Sequence, residues 1–201
     1  MAEDTLLRLA RTVDAEAVAD IYRPIVETTA ISFETEPPTA EEMARRIQQR
    51  LVHWPWLVCD RVGEVLGYAY GSRFRDRAAY QWSVEVSVYV HPRAHRSGVG
   101  RALYTSLLGL LILQGFYNAC AGITLPNAAS VGLHEAMRFL PVGVYRNVGF
   151  KLGAWHDVGW WSLVLQPSAT RPVTPVDLPA LVGRPEVESA LKLGLSHLGR
   201  R

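Results

Sequence analysis

Residues 80–111 constrain the fold more than any other part of the sequence, because a strand pattern, a short basic loop and an apolar helix follow one another without interruption. Apolar and polar side chains alternate over residues 82–90, which predicts a β-strand with one face in a core. The loop contains Gly98 and Gly100 and leads directly into the helix, so unpaired backbone amides collect at the helix N-terminus. Glycine also lets a bulky anion approach the backbone closely. The sequence therefore predicts a polyphosphate-binding site between a strand and a helix.

The glycine spacing of this loop does not fit two common phosphate-binding motifs. A dinucleotide fingerprint needs a third glycine where Leu103 stands, and a P-loop ends in Gly-Lys-Ser/Thr, which this loop lacks. The segment HRSGVG, residues 95–100, instead resembles the R/Q-x-x-G-x-G/A motif of the Gcn5-related N-acetyltransferase (GNAT) family, in which the loop binds the pyrophosphate of acetyl-CoA. His95 occupies the first position, where glutamine or arginine is usual. Because backbone amides supply much of the binding, we expect His95 to alter the affinity for acetyl-CoA without abolishing it.

Four flanking segments make this resemblance more specific. They are WPWLVCDRVGEVLGYAY, RAAYQWSVEVSVYV, LPNAASVGLHEA and GFKLGAWHDVGWW, and they resemble the phosphinothricin and methionine sulfoximine N-acetyltransferase branch of the family. The similarity covers roughly residues 6–165. It implies a GNAT fold, with a central, mostly antiparallel sheet flanked by helices, and it implies a homodimer. The alternation of strand and helix patterns independently predicts an α/β protein with a mixed sheet.

The domain organisation follows from a change in composition near residue 166. We expect a single GNAT domain over residues 1–166, followed in residues 167–201 by a proline-rich tether and a short C-terminal helix. The tail could pack on the domain, pack on a second subunit or be disordered. Within the domain, Asp14 is expected to cap a first helix, and Thr39 with Glu42 forms a capping-box pattern for a second helix.

Composition and charge argue against several classes of protein. The net charge is +2 and no long block of like charge occurs, so no nucleic-acid partner is expected. Cys59 and Cys120 lie far apart without a nearby histidine cluster, so neither a disulfide framework nor a metal site is indicated. The N-terminus is acidic where a secretory signal is basic, and the most apolar run, residues 107–113, is far shorter than the ~20 residues that span a bilayer. We expect a cytoplasmic protein with no membrane partner and no metal.

The acetyl-CoA site is assigned to three segments. The backbone of residues 88–90 can pair with the pantetheine arm as a neighbouring strand would, and the basic loop and helix start can bind the pyrophosphate. Asn127 and Ser130 match family positions near the cofactor arm, although turn formation and helix capping are alternative roles. The assigned residues are Val88, Tyr89, Val90, Arg96, Ser97, Gly98, Val99, Gly100, Arg101, Asn127 and Ser130.

The acceptor site is assigned to residues just before the central strand. Arg75, Arg77 and Tyr80 cluster there, and guanidinium groups bind carboxylate or phosphinyl oxygens in a bidentate way. A solvated loop is the alternative interpretation, and the resemblance favours binding. Phe33 lies in the irregular segment that, in the family, covers the acceptor pocket. It is a candidate wall of that pocket, or an ordinary buried aromatic residue.

Glu85 is the candidate catalytic base because it is the only carboxylate in its strand. An amino acid arrives as an ammonium ion, so a base has to remove a proton, and partial burial would tune Glu85 for this task. Neutralising nearby arginines is its alternative role. His134 falls at the family's histidine in SVxxHEA. The resemblance makes it a second candidate catalytic residue that faces the acceptor, and a hydrogen-bonded core or surface histidine is the alternative interpretation. Phe139 occupies the place of a tyrosine that protonates the leaving thiolate, which leaves Tyr104, Tyr145 or solvent for that step.

The resemblance implies an enzyme that moves the acetyl group of acetyl-CoA to the α-amino group of a small amino-acid-like acceptor, of the phosphinothricin or methionine sulfoximine type. Two alternatives remain open from the sequence. The acceptor could be another amine, such as a protein N-terminus, a polyamine or an antibiotic. The chain could also be a regulatory module that binds acetyl-CoA without turnover.

Overall fold

The structure, a computed structural model, describes residues 5–199. Within that range the strands are β1 (Thr5–Leu9), β2 (Trp56–Arg61), β3 (Glu64–Arg73), β4 (Ser83–Val90), β5 (Asn118–Leu125), β6 (Leu140–Lys151) and β7 (Ala154–Val164). The α-helices are α1 (Ala15–Thr28), α2 (Ala40–Leu51), α3 (Val99–Gln114), α4 (Ala128–Ala136) and α5 (Pro185–Leu193). No helix in residues 5–199 has both the length and the apolar character needed to cross a membrane.

One mixed sheet contains all seven of these strands, in the order β1-β2-β3-β4-β5-β7-β6. Every neighbouring pair is antiparallel except β4 and β5, which run parallel. The predicted α/β architecture, a mostly antiparallel sheet flanked by helices, is confirmed.

The parallel pair of strands separates soon after it begins. Residues 83–85 of β4 pair with residues 118–120 of β5, and the pairing stops there. On its other side β4 stays paired with β3 as far as Val90. The second half of β4 therefore has one free backbone edge, which lines a gap that opens toward the start of α3.

Two apolar layers cover the sheet, one on each face. Val84 and Val86 of β4 lie in a core with α3, whereas Val58 and Tyr68 of the neighbouring strands lie in a second core with α1 and α2. Successive side chains of a strand point to opposite faces. Glu85 therefore faces the α1/α2 layer, on the opposite side of the sheet from α3.

Local signals in the sequence account for several turns and element ends. Val62 and Gly63 both have positive φ angles and form the β2–β3 hairpin turn. The Thr39 hydroxyl accepts a hydrogen bond from the Glu42 amide at 3.2 Å and caps α2. Gly115 ends α3 in the left-handed conformation, and its amide donates back to the last turn.

The expected cap of α1 is wrong. Asp14 precedes the helix, but its side chain makes no capping hydrogen bond there. Its buried carboxylate instead accepts hydrogen bonds from the Arg8 guanidinium at 2.7 Å and from the Arg11 amide at 2.7 Å. Charge-assisted hydrogen bonds to a buried carboxylate are stronger than a capping bond to a backbone amide, and the sequence pattern does not reveal that Arg8 lies nearby.

The C-terminal segment packs on the domain along α3. Val187 and Ala190 of α5 are buried in the same core as α3. The Ser106 hydroxyl donates to the Leu191 carbonyl at 2.9 Å and accepts from the Gly194 amide at 3.1 Å. The division of the chain into units at residue 166 stays a prediction.

Candidate active site

The loop before α3 has the conformation of an anion site. Arg96 and Gly98 have φ angles of 58° and 89°, and this tight path brings the chain directly into the helix. The first-turn amides of a helix lack intrahelical acceptors, and α3 has no acidic residue in its first turn. The predicted residues 96–101 thus form one continuous segment that presents backbone donors and the positive end of a helix dipole.

His95 connects this loop to the end of β4. Its Nε2 lies 3.0 Å from the Val90 carbonyl oxygen and donates to it when protonated. The imidazole therefore takes part in a loop-to-strand contact instead of extending freely toward an anion. This position is consistent with binding that depends mainly on backbone groups.

Residues 88–90, the predicted pantetheine-binding segment, present their backbone to the gap, because their side chains pack into the two apolar layers. The Tyr89 ring packs against Tyr22 and Tyr68 in the α1/α2 layer, with ring centroids 5.1 and 5.2 Å apart. Val88 and Val90 pack against the α3 core. The free β4 edge at the gap is therefore available to a ligand that can form strand-like hydrogen bonds.

Asn127 and Ser130 lie on the other side of the gap, where β5 leads into α4. The Asn127 Oδ1 accepts a hydrogen bond from the Ser130 amide at 3.1 Å and caps the helix. The Asn127 side chain thus caps a helix, which is the alternative role that the sequence suggests for this residue. Both residues stay predicted contacts of the cofactor arm.

His134 lies in a buried cluster with Tyr104 and Phe139. Its Nδ1 lies 2.8 Å from the Ser130 carbonyl oxygen, and its Nε2 lies 3.0 Å from the Tyr104 hydroxyl. Nδ1 therefore carries the proton, and Tyr104 donates to Nε2. Burial lowers the pKa of His134, although the hydrogen bond to Ser130 opposes the shift. Burial also raises the pKa of Tyr104, so this pair is neutral near pH 7.

Glu85 lies at the point where β4 and β5 separate. It is opposite Ser72 on β3 and Cys120 on β5. Within the described chain its carboxylate accepts no hydrogen bond and forms no ion pair. Burial raises the pKa of Glu85 above its ordinary value of 4.5, while the charges of Arg75 and Arg50 oppose the increase. A half-buried carboxylate without a partner is suited to accept a proton.

Arg75 is held by aromatic rings near Glu85. Its guanidinium lies 4.5 Å from the ring centroid of Phe74 and 5.3 Å from that of Trp160. The Phe74 ring in turn contacts Tyr80 edge-on, with centroids 5.9 Å apart. The Arg75 Nη1 donates to the Phe74 carbonyl at 3.0 Å. Stacking on aromatic faces restricts a guanidinium without consuming its other donors, so Arg75 remains able to bind an oxyanion.

The structure brings three of the four predicted acceptor-site residues together. Arg75, Arg77 and Tyr80 line one cavity of about 280 Å³, whose other side includes residues 174–177 of the C-terminal segment. The participation of the tail was not evident from the sequence, because more than ninety residues separate it from the arginines.

Phe33 lies away from that cavity. Its ring covers Gly149 of β6, where any side chain would overlap it, and lies 6.3 Å from the His156 ring. The buried Lys151 ammonium donates to the neighbouring Ser32 carbonyl at 2.7 Å and holds this segment against β6. A role as pocket wall stays a prediction for Phe33.

Sequence reasoning missed a group of donors on the Glu85 face. Arg50, Trp56 and Tyr70 come from α2, β2 and β3 and line a second cavity, of about 270 Å³. No motif joins them, because only the sheet register and the docking of α2 bring them together. No group of three or more histidine, cysteine, aspartate or glutamate side chains in residues 5–199 is arranged to hold a metal ion.

Parallel strands that separate in front of a glycine-led helix can hold an extended ligand that carries phosphate groups, such as the acetyl-CoA of the GNAT-fold acetyltransferases. The chain belongs to this family, since a family model described as "Acetyltransferase (GNAT) domain" matches residues 7–160. It is therefore an acetyl-CoA-dependent N-acetyltransferase.

Several relatives of this chain are phosphinothricin or methionine sulfoximine acetyltransferases. The chain is 43% identical to a phosphinothricin N-acetyltransferase of Streptomyces viridochromogenes, over 85% of this chain and 93% of the relative. It is 33% identical to an L-methionine sulfoximine/L-methionine sulfone acetyltransferase of Salmonella typhimurium, over 81% and 96%. A phosphinothricin acetyltransferase from Sinorhizobium meliloti, solved in complex with acetyl-CoA, superimposes with a TM-score of 0.80 at 36% identity, over 85% of this chain and 94% of that one. The resemblance of this chain to the phosphinothricin and methionine sulfoximine branch is confirmed.

Proposed function

We propose that this enzyme acetylates the α-amino group of a small anionic amino-acid-like acceptor, of the phosphinothricin or methionine sulfoximine type. The observation that carries the proposal is the position of Glu85, an unpaired carboxylate at the end of the strand gap, with Arg75 close enough to influence its pKa. The names of the relatives support the same acceptor class. Cationic groups beside the proposed base favour an acceptor with negative charge over a polyamine.

In the proposed reaction, Glu85 removes a proton from the acceptor ammonium, directly or through one water. The free amine nitrogen then attacks the thioester carbonyl carbon, and the carbonyl oxygen becomes negatively charged. In this scheme an amide on the free edge of β4 stabilises that charge. As the amide forms, the nitrogen loses its second proton to solvent, the C–S bond breaks, and CoA leaves as a thiolate. The raised pKa of Glu85 makes it a stronger base than an ordinary glutamate.

The leaving thiolate needs one proton, and we assign it to Tyr104. The hydrogen bond between its hydroxyl and His134 Nε2 fixes its position. Burial raises the pKa of Tyr104 and so makes it a weaker proton donor than an exposed tyrosine. Phe139 stacks on Tyr104 and has no proton to give. Tyr145, the other candidate tyrosine for this proton transfer, is exposed on β6. In this scheme His134 is a positioning residue for Tyr104.

The test is CoA thiol release from acetyl-CoA with a panel of acceptors. The panel contains phosphinothricin, methionine sulfoximine, methionine sulfone, common amino acids, spermidine and a peptide N-terminus. The proposal predicts turnover confined to the anionic amino-acid analogues. Preferred turnover of spermidine or the peptide would assign the enzyme to another amine. Acetyl-CoA binding without turnover of any amine would support a regulatory module.

We also propose that two copies of the chain form a homodimer through β6. This edge strand exposes a series of apolar side chains: Leu140, Val142, Val144, Tyr145, Val148 and Phe150. An exposed apolar edge strand on a single chain favours association, and a second copy offers an identical, complementary edge.

A cytoplasmic location and a catalytic unit of residues 1–166 complete the proposal. Cys59 and Cys120 are both free, which suits a reducing compartment. Fractionation of expressing cells tests the location, because recovery of the protein outside the cytoplasm would contradict it. Partial proteolysis tests the boundary, because cleavage within residues 167–177 should precede cleavage elsewhere.

A further inference from the structure

The second cavity, of about 270 Å³, lies between α2 and the sheet on the face that carries Glu85. Arg50, Trp56, Tyr68 and Tyr70 contribute to its lining. The Arg50 guanidinium lies 4.8 Å from the Tyr70 ring centroid, and the Trp56 ring stacks on Tyr70 with centroids 4.5 Å apart. Aromatic stacking therefore holds both nitrogen-bearing groups in place around the cavity.

Two residues of this lining each contain a donor atom without an acceptor. Arg50 Nε and Trp56 Nε1 are buried and make no hydrogen bond, and Trp56 is only 2% exposed. A buried donor without an acceptor destabilises the fold, so such groups in native proteins are usually completed by a ligand or water. Donors without matching acceptors indicate an occupant that carries acceptor atoms.

The charges around the cavity indicate that the occupant is an anion. Arg46, one turn earlier on α2, is neutralised by Glu34 and Glu42, with its Nη1 2.8 Å from Glu34 Oε1. The Glu34 carboxylate is thereby occupied, and it also accepts from Tyr22 at 2.9 Å. Arg50 forms no ion pair within residues 5–199. Its positive charge is left for a carboxylate or a similar oxyanion.

The sheet register places this cavity beside the proposed base. Tyr70 is opposite Ser87, and Ser72 is opposite Glu85, so Glu85 stands two residues along β4 from the position that faces Tyr70. Two residues on a strand correspond to about 7 Å, and the intervening side chain points to the other face. A carboxylate in the cavity would therefore lie close enough for the α-amino group of the same molecule to reach Glu85.

We propose that this cavity is the subsite for the acceptor's α-carboxylate, with Arg50 as its ionic partner and the Trp56 indole N–H as a second donor. The inference deepens the proposed function and rests on it. Arg75, in the other cavity, then remains for the second polar end of the acceptor, a phosphinyl or sulfoximine group. Two cations on different elements would recognise two ends of one small molecule.

The test compares L-methionine sulfone with its carboxamide, which keeps the amine and the sulfone but lacks the carboxylate. For Arg50→Gln, we expect KM for the acid to rise about 10- to 100-fold, because a charge-assisted hydrogen bond is lost. KM for the carboxamide and KM for acetyl-CoA should stay unchanged. For Trp56→Phe, which keeps an aromatic ring, KM for the acid should rise about three- to tenfold.

The control is Arg45→Gln, since Arg45 lies on the same helix with its side chain 69% exposed and outside the cavity lining. Arg45→Gln should leave KM unchanged for both the acid and the carboxamide. Arg50→Lys, which keeps the charge, should restore part of the acid's affinity. An equal loss for acid and carboxamide, or no loss in Arg50→Gln, would overturn the subsite.

Binding measured by calorimetry separates this inference from the proposed function. Wild-type protein with CoA should bind the sulfone acid more tightly than the carboxamide, and Arg50→Gln should abolish the difference. If this difference is found but no acceptor is acetylated, the proposed function fails and the subsite stands. If wild-type protein binds both forms equally or neither form, the subsite is wrong. Melting temperatures show whether each variant is folded.

Discussion

At the residue scale, the proposed chemistry depends on side chains whose polar atoms are left free by the fold. Glu85 has no hydrogen-bond or ion-pair partner in the described chain, whereas Asp14 and Glu34 are each bound by an arginine. A carboxylate bound to arginine is a weak base, because the positive charge stabilises the ionised form. Glu85 therefore differs from these acids in its environment, and its residue type alone does not reveal the difference.

Replacing Glu85 by glutamine should reduce kcat by about 10²–10⁴-fold, because the amide cannot accept the ammonium proton. KM for acetyl-CoA should not change. A base works only when deprotonated, so the wild-type rate should fall as the pH drops through the raised pKa of Glu85, above 4.5. Glu85→Gln should lack this acid limb. Steady-state kinetics from pH 5 to 9 provide the measurement, and wild-type turnover of the variant across that range would contradict the assignment.

Replacing Tyr104 by phenylalanine should lower kcat by about tenfold or more, because the thiolate then takes its proton from water. Acetyl-CoA binding, followed by calorimetry, should be preserved. Tyr145→Phe is the matched control, because that hydroxyl is exposed on β6, and it should retain full activity. Equal rates for the two variants would remove Tyr104 from the mechanism.

At the element scale, the start of α3 is held in place by the C-terminal segment. A β-carbon on Gly98 would overlap the carbonyl of His197, and one on Gly194 would overlap the carbonyl of Ala102. Gly98 also needs its positive φ angle to lead the chain into α3. The same glycine therefore serves the anion loop and the docking of the tail.

Replacing Gly98 by alanine should raise the Kd for acetyl-CoA about tenfold or more and lower the melting temperature. Two effects contribute. Alanine is strained at the positive φ angle of this position, and its β-carbon would overlap the backbone of the C-terminal segment. Gly132→Ala is the control, because no atom lies within 4 Å of its β-carbon position on α4. Calorimetry and thermal unfolding measure both effects. A Gly98→Ala protein with unchanged affinity would show that the loop tolerates displacement.

At the scale of the whole molecule, the sheet has two very different edges. α5 and the segment that follows it, Gly194–His197, cover β1. β6 at the opposite edge exposes most of its side chains. An uncovered apolar edge is an aggregation risk that pairing of two copies would remove.

Replacing Val142 by glutamate should convert a dimer into a monomer, because a charge would be buried at the proposed interface. Val142 is 68% exposed in the single chain, so the folded monomer should tolerate the change. Val13→Glu, at a 77% exposed site elsewhere, is the control. Sedimentation at several concentrations is the measurement. A wild-type protein that sediments as a monomer throughout would refute the homodimer.

Features of this protein that depend on neighbours along the chain can be predicted from the amino-acid sequence alone. The period-2 pattern predicts β4, and the glycine spacing predicts the loop before α3. Turn and capping residues predict the ends of several elements. These signals are reliable because each acts over only a few residues. Even here Asp14 was misassigned, since the guanidinium of Arg8 competes for its carboxylate.

Contacts between side chains that are distant in the sequence become visible only in the folded protein. The hydrogen bond between Tyr104 and His134 connects α3 to α4. Arg50 from α2 and Trp56 from β2 line one cavity. The tail docks on α3 through Ser106. Sheet register and helix packing determine such contacts. Both result from many weak interactions over the whole chain, so no local sequence pattern predicts these contacts.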